Sequence, residues 1–118
     1  MKIININEEV SKSEMGSFKN IVEFNGSNFG ACNIAGVSDV WEMHPDTDEL
    51  FHILEGEAVI TLLEDSGEVP YRAVAGSMFA IPKGVWHKQG APNGVKFIYY
   101  TPGKTVHSEA ENPREQKT

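Results

Sequence analysis

Glu42, His44, Glu49 and His87 are the side chains best suited to chemistry in this 118-residue sequence. Two imidazoles and two carboxylates offer the nitrogen and oxygen donors that divalent metal ions take. On an extended strand, residues two apart share a face, so Glu42 and His44 project together. Pro45-Asp46-Thr47-Asp48 reads as a turn that ends one strand and lets the next return Glu49 beside them. His87 follows a second turn, Pro82-Lys83-Gly84, which starts a later strand and brings a distant fourth group to close the cluster. Either carboxylate, Glu42 or Glu49, is then available as a catalytic group for proton transfer.

The same alternation sets the surroundings of the cluster. If Glu49 points inward, Phe51 and Ile53 do too and give the polar cluster apolar walls. His52 then faces the other way with Leu50 and Leu54 and is not a ligand. Trp41 and Trp86 alternate with the inward positions and read as packing. Tyr99 and Tyr100 fall on opposite faces, so only one of their hydroxyls can reach the cavity.

The elements that must position these groups are strands. Short β-branched or aromatic runs at 21–24, 29–35, 39–44, 49–55, 58–64, 69–74, 77–81, 87–90 and 95–101 are separated by Gly, Pro, Asn and Asp, with no sustained helical period. Asn25-Gly26, Glu55-Gly56, Asp65-Ser66-Gly67, Ala75-Gly76, Pro82-Lys83-Gly84 and Pro92-Asn93-Gly94 supply turn chemistry, and each is expected to reverse the chain. The fold class expected is all-β, a sandwich or jelly-roll barrel. Three regions are expected: residues 1–19 as an N-terminal strand segment, open to exchange in a homodimer through Ile3, Ile4, Ile6 and Val10; residues 20–103 as the barrel; and residues 104–118 as a polar, frayed tail.

Composition excludes several function classes. A net charge of −7 repels phosphate backbones and anionic membrane surfaces, so no nucleic acid or membrane partner is expected. A single cysteine, Cys32, permits neither an intramolecular disulfide nor a cysteine-rich zinc site, and reads as a small buried hydrophobe. With no apolar leader at the N-terminus, the expected home is the cytoplasm. No G-x-S-x-G elbow or phosphate-binding glycine loop is present. Glycosidase chemistry from Glu42 and Glu49 is a poorer account of this cluster than metal ligation, given the adjacent histidines.

Residues 36–56 and 76–87 resemble the two signature motifs of the cupin superfamily. The first motif is matched by Gly36, His44, Glu49 and Gly56, with Glu42 where the family's first histidine stands. The second is matched by Gly76, Pro82, Gly84 and His87, with Ala91 where an asparagine stands. The resemblance implies a double-stranded β-helix, or cupin jelly-roll barrel, with a divalent metal (Fe, Mn, Ni, Zn or Co) held by Glu42, His44, Glu49 and His87. Two carboxylates would nearly neutralise such an ion and favour the harder Mn or Fe(II). In a second arrangement His44, Glu49 and His87 alone ligate, and Glu42 either stands behind these ligands or acts as base. In a third the ion has been lost and Glu42 pairs with a cation or a protonated histidine.

The function implied is metal-dependent chemistry on a small polar molecule, of dioxygenase, isomerase or decarboxylase class. The alternative is a non-catalytic module that binds a metabolite or sugar, with or without metal. A fold does not choose between them.

Overall fold

The computed structural model describes residues 1–115. Eight strands form one curled antiparallel sheet: β1 (Ser17–Phe24), β2 (Ser27–Val37), β3 (Trp41–Met43), β4 (Glu49–Glu64), β5 (Gly67–Val74), β6 (Met78–Ile81), β7 (His87–Tyr100) and β8 (Val106–Ser108). The order β1-β2-β7-β3-β8 is joined through β7 to β4, which also pairs with β5 and β6. The two long strands β4 and β7 are thus the hubs, and the all-β jelly roll expected from the sequence is what the chain adopts.

Two of the expected reversals are bends within strands instead. Glu55-Gly56 lies inside β4 and Pro92-Asn93-Gly94 inside β7, and the pairing of these strands shifts register between Ile53 and Glu55 and again between Gly56 and Val59. Gly56 and Gly94 both have positive φ, at 80° and 90°. A Cβ on Gly56 would fall 2.3 Å from the Gly94 carbonyl oxygen. The glycines therefore permit a close crossing of two bent strands, the β-bulge device that curls a sheet without ending it.

Inside the curl, Cys32, Phe51, Ile53, Ala58, Ile60, Ala73, Ile81, Ala91, Val95 and Phe97 form one buried cluster. Along β4 the residues Glu49, Phe51 and Ile53 are buried while Leu50, His52 and Leu54 are half-buried, as strand alternation requires. Burial pushes the Cys32 thiol up to about 12, with the Glu42 charge adding to the effect.

Both ends of the chain correct the sequence reading. Residues Ile6–Ser11 form a helix, α1, rather than a strand. The Asn5 side chain caps it by accepting from the Glu8 amide at 2.9 Å, Glu8 and Glu9 sit in its first turn where the helix dipole favours them, and Val10 anchors it by burial. The signal was the Asn-x-x-Glu spacing, a capping pattern that outweighs scattered isoleucines. Nor is the C-terminal segment frayed as far as it is described. β8 pairs with β3, Ser108 and Pro113 are buried, and Arg114 Nη2 donates to the Leu63 carbonyl at 2.6 Å. Composition undercounted this segment because backbone pairing to an open strand needs no apolar side chains. The rest of the expected tail, residues 116–118, lies outside the described residues. No helix is long and apolar enough to cross a membrane among the described residues.

Candidate metal centre

β3 contributes Glu42, and His44 lies just beyond its end. Glu49 opens β4, and His87 opens β7 directly opposite Glu42 in the β3–β7 pairing. The two turns expected to deliver these groups also clasp each other. The Gly84 amide donates to the His44 carbonyl and the Lys83 amide to Asp48 Oδ1, both at 2.9 Å. The segments before Glu49 and before His87 are thereby held together by two turn amides, one donating to a backbone carbonyl and one to the Asp48 carboxylate.

All four side chains named from the sequence meet. Each offers one ligand atom within 4.8 Å of the others. Glu49 Oε1 lies 3.2 Å from His44 Nε2 and 3.3 Å from His87 Nε2, and Glu42 Oε2 lies 3.7 Å from His87 Nε2. His44, Glu49 and His87 are 3, 5 and 1% exposed, so water does not solvate these three, whereas Glu42 is half-buried. His52 lies outside it, as its strand parity required.

The outward atoms of the same groups are engaged. His44 Nδ1 donates to the Lys104 carbonyl at 3.3 Å, with the Thr105 hydroxyl 3.1 Å from the same nitrogen. His87 Nδ1 donates to the Val85 carbonyl at 3.3 Å, and Thr101 Oγ1 donates to Glu49 Oε2. A carbonyl only accepts, so each Nδ1 carries the proton and each Nε2 is turned toward the centre. His44 Nε2, Glu49 Oε1 and His87 Nε2 are buried without a hydrogen-bond partner among the described residues: the contacts are close but not aligned as hydrogen bonds. Three unpartnered ligand atoms facing a common point, backed by carbonyl and hydroxyl supports, are the donor arrangement that a divalent cation completes. An ion about 2.1 Å from each ligand separates neighbouring ligand atoms by about 3 to 4 Å, and the Glu49–His44, Glu49–His87 and Glu42–His87 contacts fall in that range, while the four atoms together span up to 4.8 Å.

The electrostatics agree. For Glu49, burial raises the carboxyl, but His44, His87 and Thr101 beside it outweigh burial and bring it down to about 2. For His87, burial opposes the charge, but Glu42 and Glu49 overcome it and push the imidazole up to about 9. His44 is raised in the same way, with Glu49 overcoming burial. Glu42 is lowered, chiefly by His87. Without a metal the neighbouring carboxylates favour protonated imidazoles, and a cation would displace those protons.

A cavity of about 280 Å³ opens onto the cluster. Phe18, Phe51, Phe97 and Tyr99 line it together with Gln89, Thr101, Thr105 and His107. Tyr99 is the tyrosine that reaches it, since the Tyr100 hydroxyl donates instead to the Phe24 carbonyl. His107 Nε2 lies 3.4 Å from Glu42 Oε1, at the exposed rim. Sequence reasoning missed Gln89, Thr101, Thr105 and His107. Gln89 alone carried a signal, its spacing of two from His87; the others depend on the path of the segment beyond β7.

The family model described as Cupin domain matches residues 34–99, a span that starts before Glu42 and ends beyond His87. Among solved structures, the chain is similar to a cupin-2 domain containing protein from Shewanella frigidimarina, with 35% identity over 84% of this chain and 94% of that one, at a TM-score of 0.72. It is also similar to a protein from Neisseria meningitidis, with 21% identity over 83 and 96% of the two chains and a TM-score of 0.70. A third likeness is to the hydroquinone 1,2-dioxygenase of Sphingomonas solved with 4-hydroxybenzoate bound, at 15% identity over 82 and 71% and a TM-score of 0.65, which speaks to fold alone. No curated protein matches the chain.

Proposed function

Because this chain belongs to the cupin domain family, we propose that its barrel holds a divalent metal ion at Glu42, His44, Glu49 and His87 and uses it on a small polar molecule. The observation that supports this most directly is the convergence of three buried, unpartnered ligand atoms, two of them on residues, His44 and Glu49, that line a cavity. When bound, such an ion supplies a Lewis acid able to polarise a carbonyl or enol oxygen, or to activate dioxygen, which is the chemistry of the dioxygenase, isomerase and decarboxylase classes. Fe, Mn, Ni, Zn and Co all accept this donor set, and the two carboxylates favour the harder Mn or Fe(II).

The chain's own groups supply the rest. His44 and His87 are held as Nε2 donors by their carbonyl partners. Thr101 fixes Glu49 through its outer oxygen and leaves Oε1 for the centre. Glu42 is the most accessible of the four and faces His87 with one oxygen and His107 with the other. It is therefore the group placed to carry a proton between the cavity and solvent, with Glu49 as the buried alternative. Phe51 and Phe97 keep water from the inner wall.

A non-catalytic metabolite-binding module is the second reading. The two carboxylates favour it, because they blunt the ion's acidity. Chelation distinguishes the two: turnover stops when an enzyme is stripped, while a binder retains its ligand. Elemental analysis tests the site itself. His44→Ala and His87→Ala are expected to empty it, and Glu42→Ala to lower occupancy or change the metal. Stoichiometric metal in both histidine variants overturns the assignment. A cytoplasmic homodimer is part of the same proposal, supported by the solitary buried thiol and by Val22 and Phe24 exposed on edge strand β1.

A further inference from the structure

Phe18 faces the interior of the curl because β1 carries an extra residue. Strict alternation would put Phe18, Asn20, Val22 and Phe24 on one face. The β1–β2 register shifts between Asn20 and Val22, however, so Phe18 stands opposite Cys32 of the core and Val22 opposite Phe29. The rings show the same inversion. Phe24 meets Phe29 at 5.8 Å and Tyr100 at 5.9 Å on the outer face, whereas Phe18 meets Tyr99 edge-on at 6.4 Å on the inner one. A bulge of this kind re-aims a side chain on an edge strand and leaves the sheet behind it paired.

Phe18 is aimed at a divided space. The cavity of about 280 Å³ that His44 and Glu49 line has a neighbour of about 270 Å³, lined by His87 and by Ile34, Gly36 and Val40. Phe18, Glu42 and Gln89 line both, so the two spaces lie side by side and each borders the cluster. Of these three residues, Glu42 belongs to the cluster and Gln89 is half-buried on β7, while Phe18 is 66% exposed and lies outside the buried core. Its ring is therefore the part of the partition that can be cut away without disturbing the cluster or the core. Each space by itself suits a compact molecule, and the two joined would take one about twice as large.

Resting on the reading of the cluster as a metal site, we propose that Phe18 is the residue that sets ligand size. It confines a metal-binding ligand to one of the two spaces and so selects small molecules with little bulk beyond the group that meets the ion. Truncating Phe18 joins the spaces and shifts the preference to larger ligands.

Three hydroxamic acids share one metal-binding head and differ in bulk: acetohydroxamic, benzohydroxamic and biphenyl-4-carbohydroxamic acid. Calorimetric titration of each into zinc-loaded wild-type protein and Phe18→Ala provides the test, with zinc content and circular dichroism compared between the two. Wild type is expected to bind the biphenyl compound about tenfold more weakly than benzohydroxamate, and Phe18→Ala to reverse that order, while acetohydroxamate binds both proteins alike. Equal binding of the two larger compounds by wild type overturns the proposal whether or not the variant folds, and so does a folded, zinc-loaded Phe18→Ala that keeps the wild-type order. Acetohydroxamate that fails to bind zinc-loaded wild type defeats the metal reading and this inference with it. Acetohydroxamate that binds, followed by no step with size, defeats this inference alone.

Discussion

At the scale of single residues, the cluster behaves as a charge-paired unit whose response to pH can be signed. The Glu49 carboxyl is held at about 2, below its unfolded value, so its contribution to stability is present above about pH 4.3 and is lost as pH falls toward 2. The His87 imidazole is raised to about 9, so its contribution is complete below about pH 6.5 and is lost as pH rises toward 9. Chelated protein should therefore be most resistant to urea between about pH 4.3 and 6.5, and Glu49→Gln should flatten both limbs. Metal-loaded protein should show the opposite on the alkaline side. Ligation needs neutral imidazoles, so loading releases protons and stability should persist toward pH 9. Urea titrations across pH, with and without chelator, check both expectations. Thr101→Val removes the donor behind Glu49 and should weaken metal binding about tenfold with little loss of stability, as metal titration would show.

At the scale of elements, the two glycine bends and the last strand set the geometry. Gly56→Ala combines a left-handed backbone with a clash against the Gly94 carbonyl and should cost about 3 kcal/mol. Gly76→Ala has a similar φ, +91°, but open space around it, and should cost only about 1 kcal/mol. Deleting residues 104–118 strips β8 from β3 and the Lys104 carbonyl from His44, and should lower metal affinity more than tenfold while β4 and β7 keep their pairing. Thermal melts and metal titrations distinguish these cases. The same elements show what was legible beforehand. Strand parity was enough to put Glu42 and His44 on one face, because alternation is a local property, whereas the expectation that Glu49 and His87 join them rested on the two turns and on the likeness to the cupin motifs. Whether Gly56 and Gly94 reverse the chain or only bend it was not legible, since both outcomes need a positive φ and only the partner strand decides. Thr105 and His107 were hidden for a related reason: their place depends on β8 finding the open edge of β3, a backbone event that composition does not record.

At the scale of the whole molecule, Val22 and Phe24 on β1 leave apolar surface at an edge that also has unpaired backbone groups. Sedimentation should give twice the 13.0 kDa chain mass, and Phe24→Lys should return it to that of one chain; a wild-type monomer at micromolar concentration counts against association. A different whole-molecule property follows from Cys32. It is the chain's one sulfhydryl, enclosed by the barrel and reluctant to ionise. Alkylating reagents attack the thiolate, so the native barrel should be all but inert to iodoacetamide, and modification should proceed only during excursions in which the sheet comes apart. The protein thus carries its own clock for opening, and ligands that tighten the barrel will slow it.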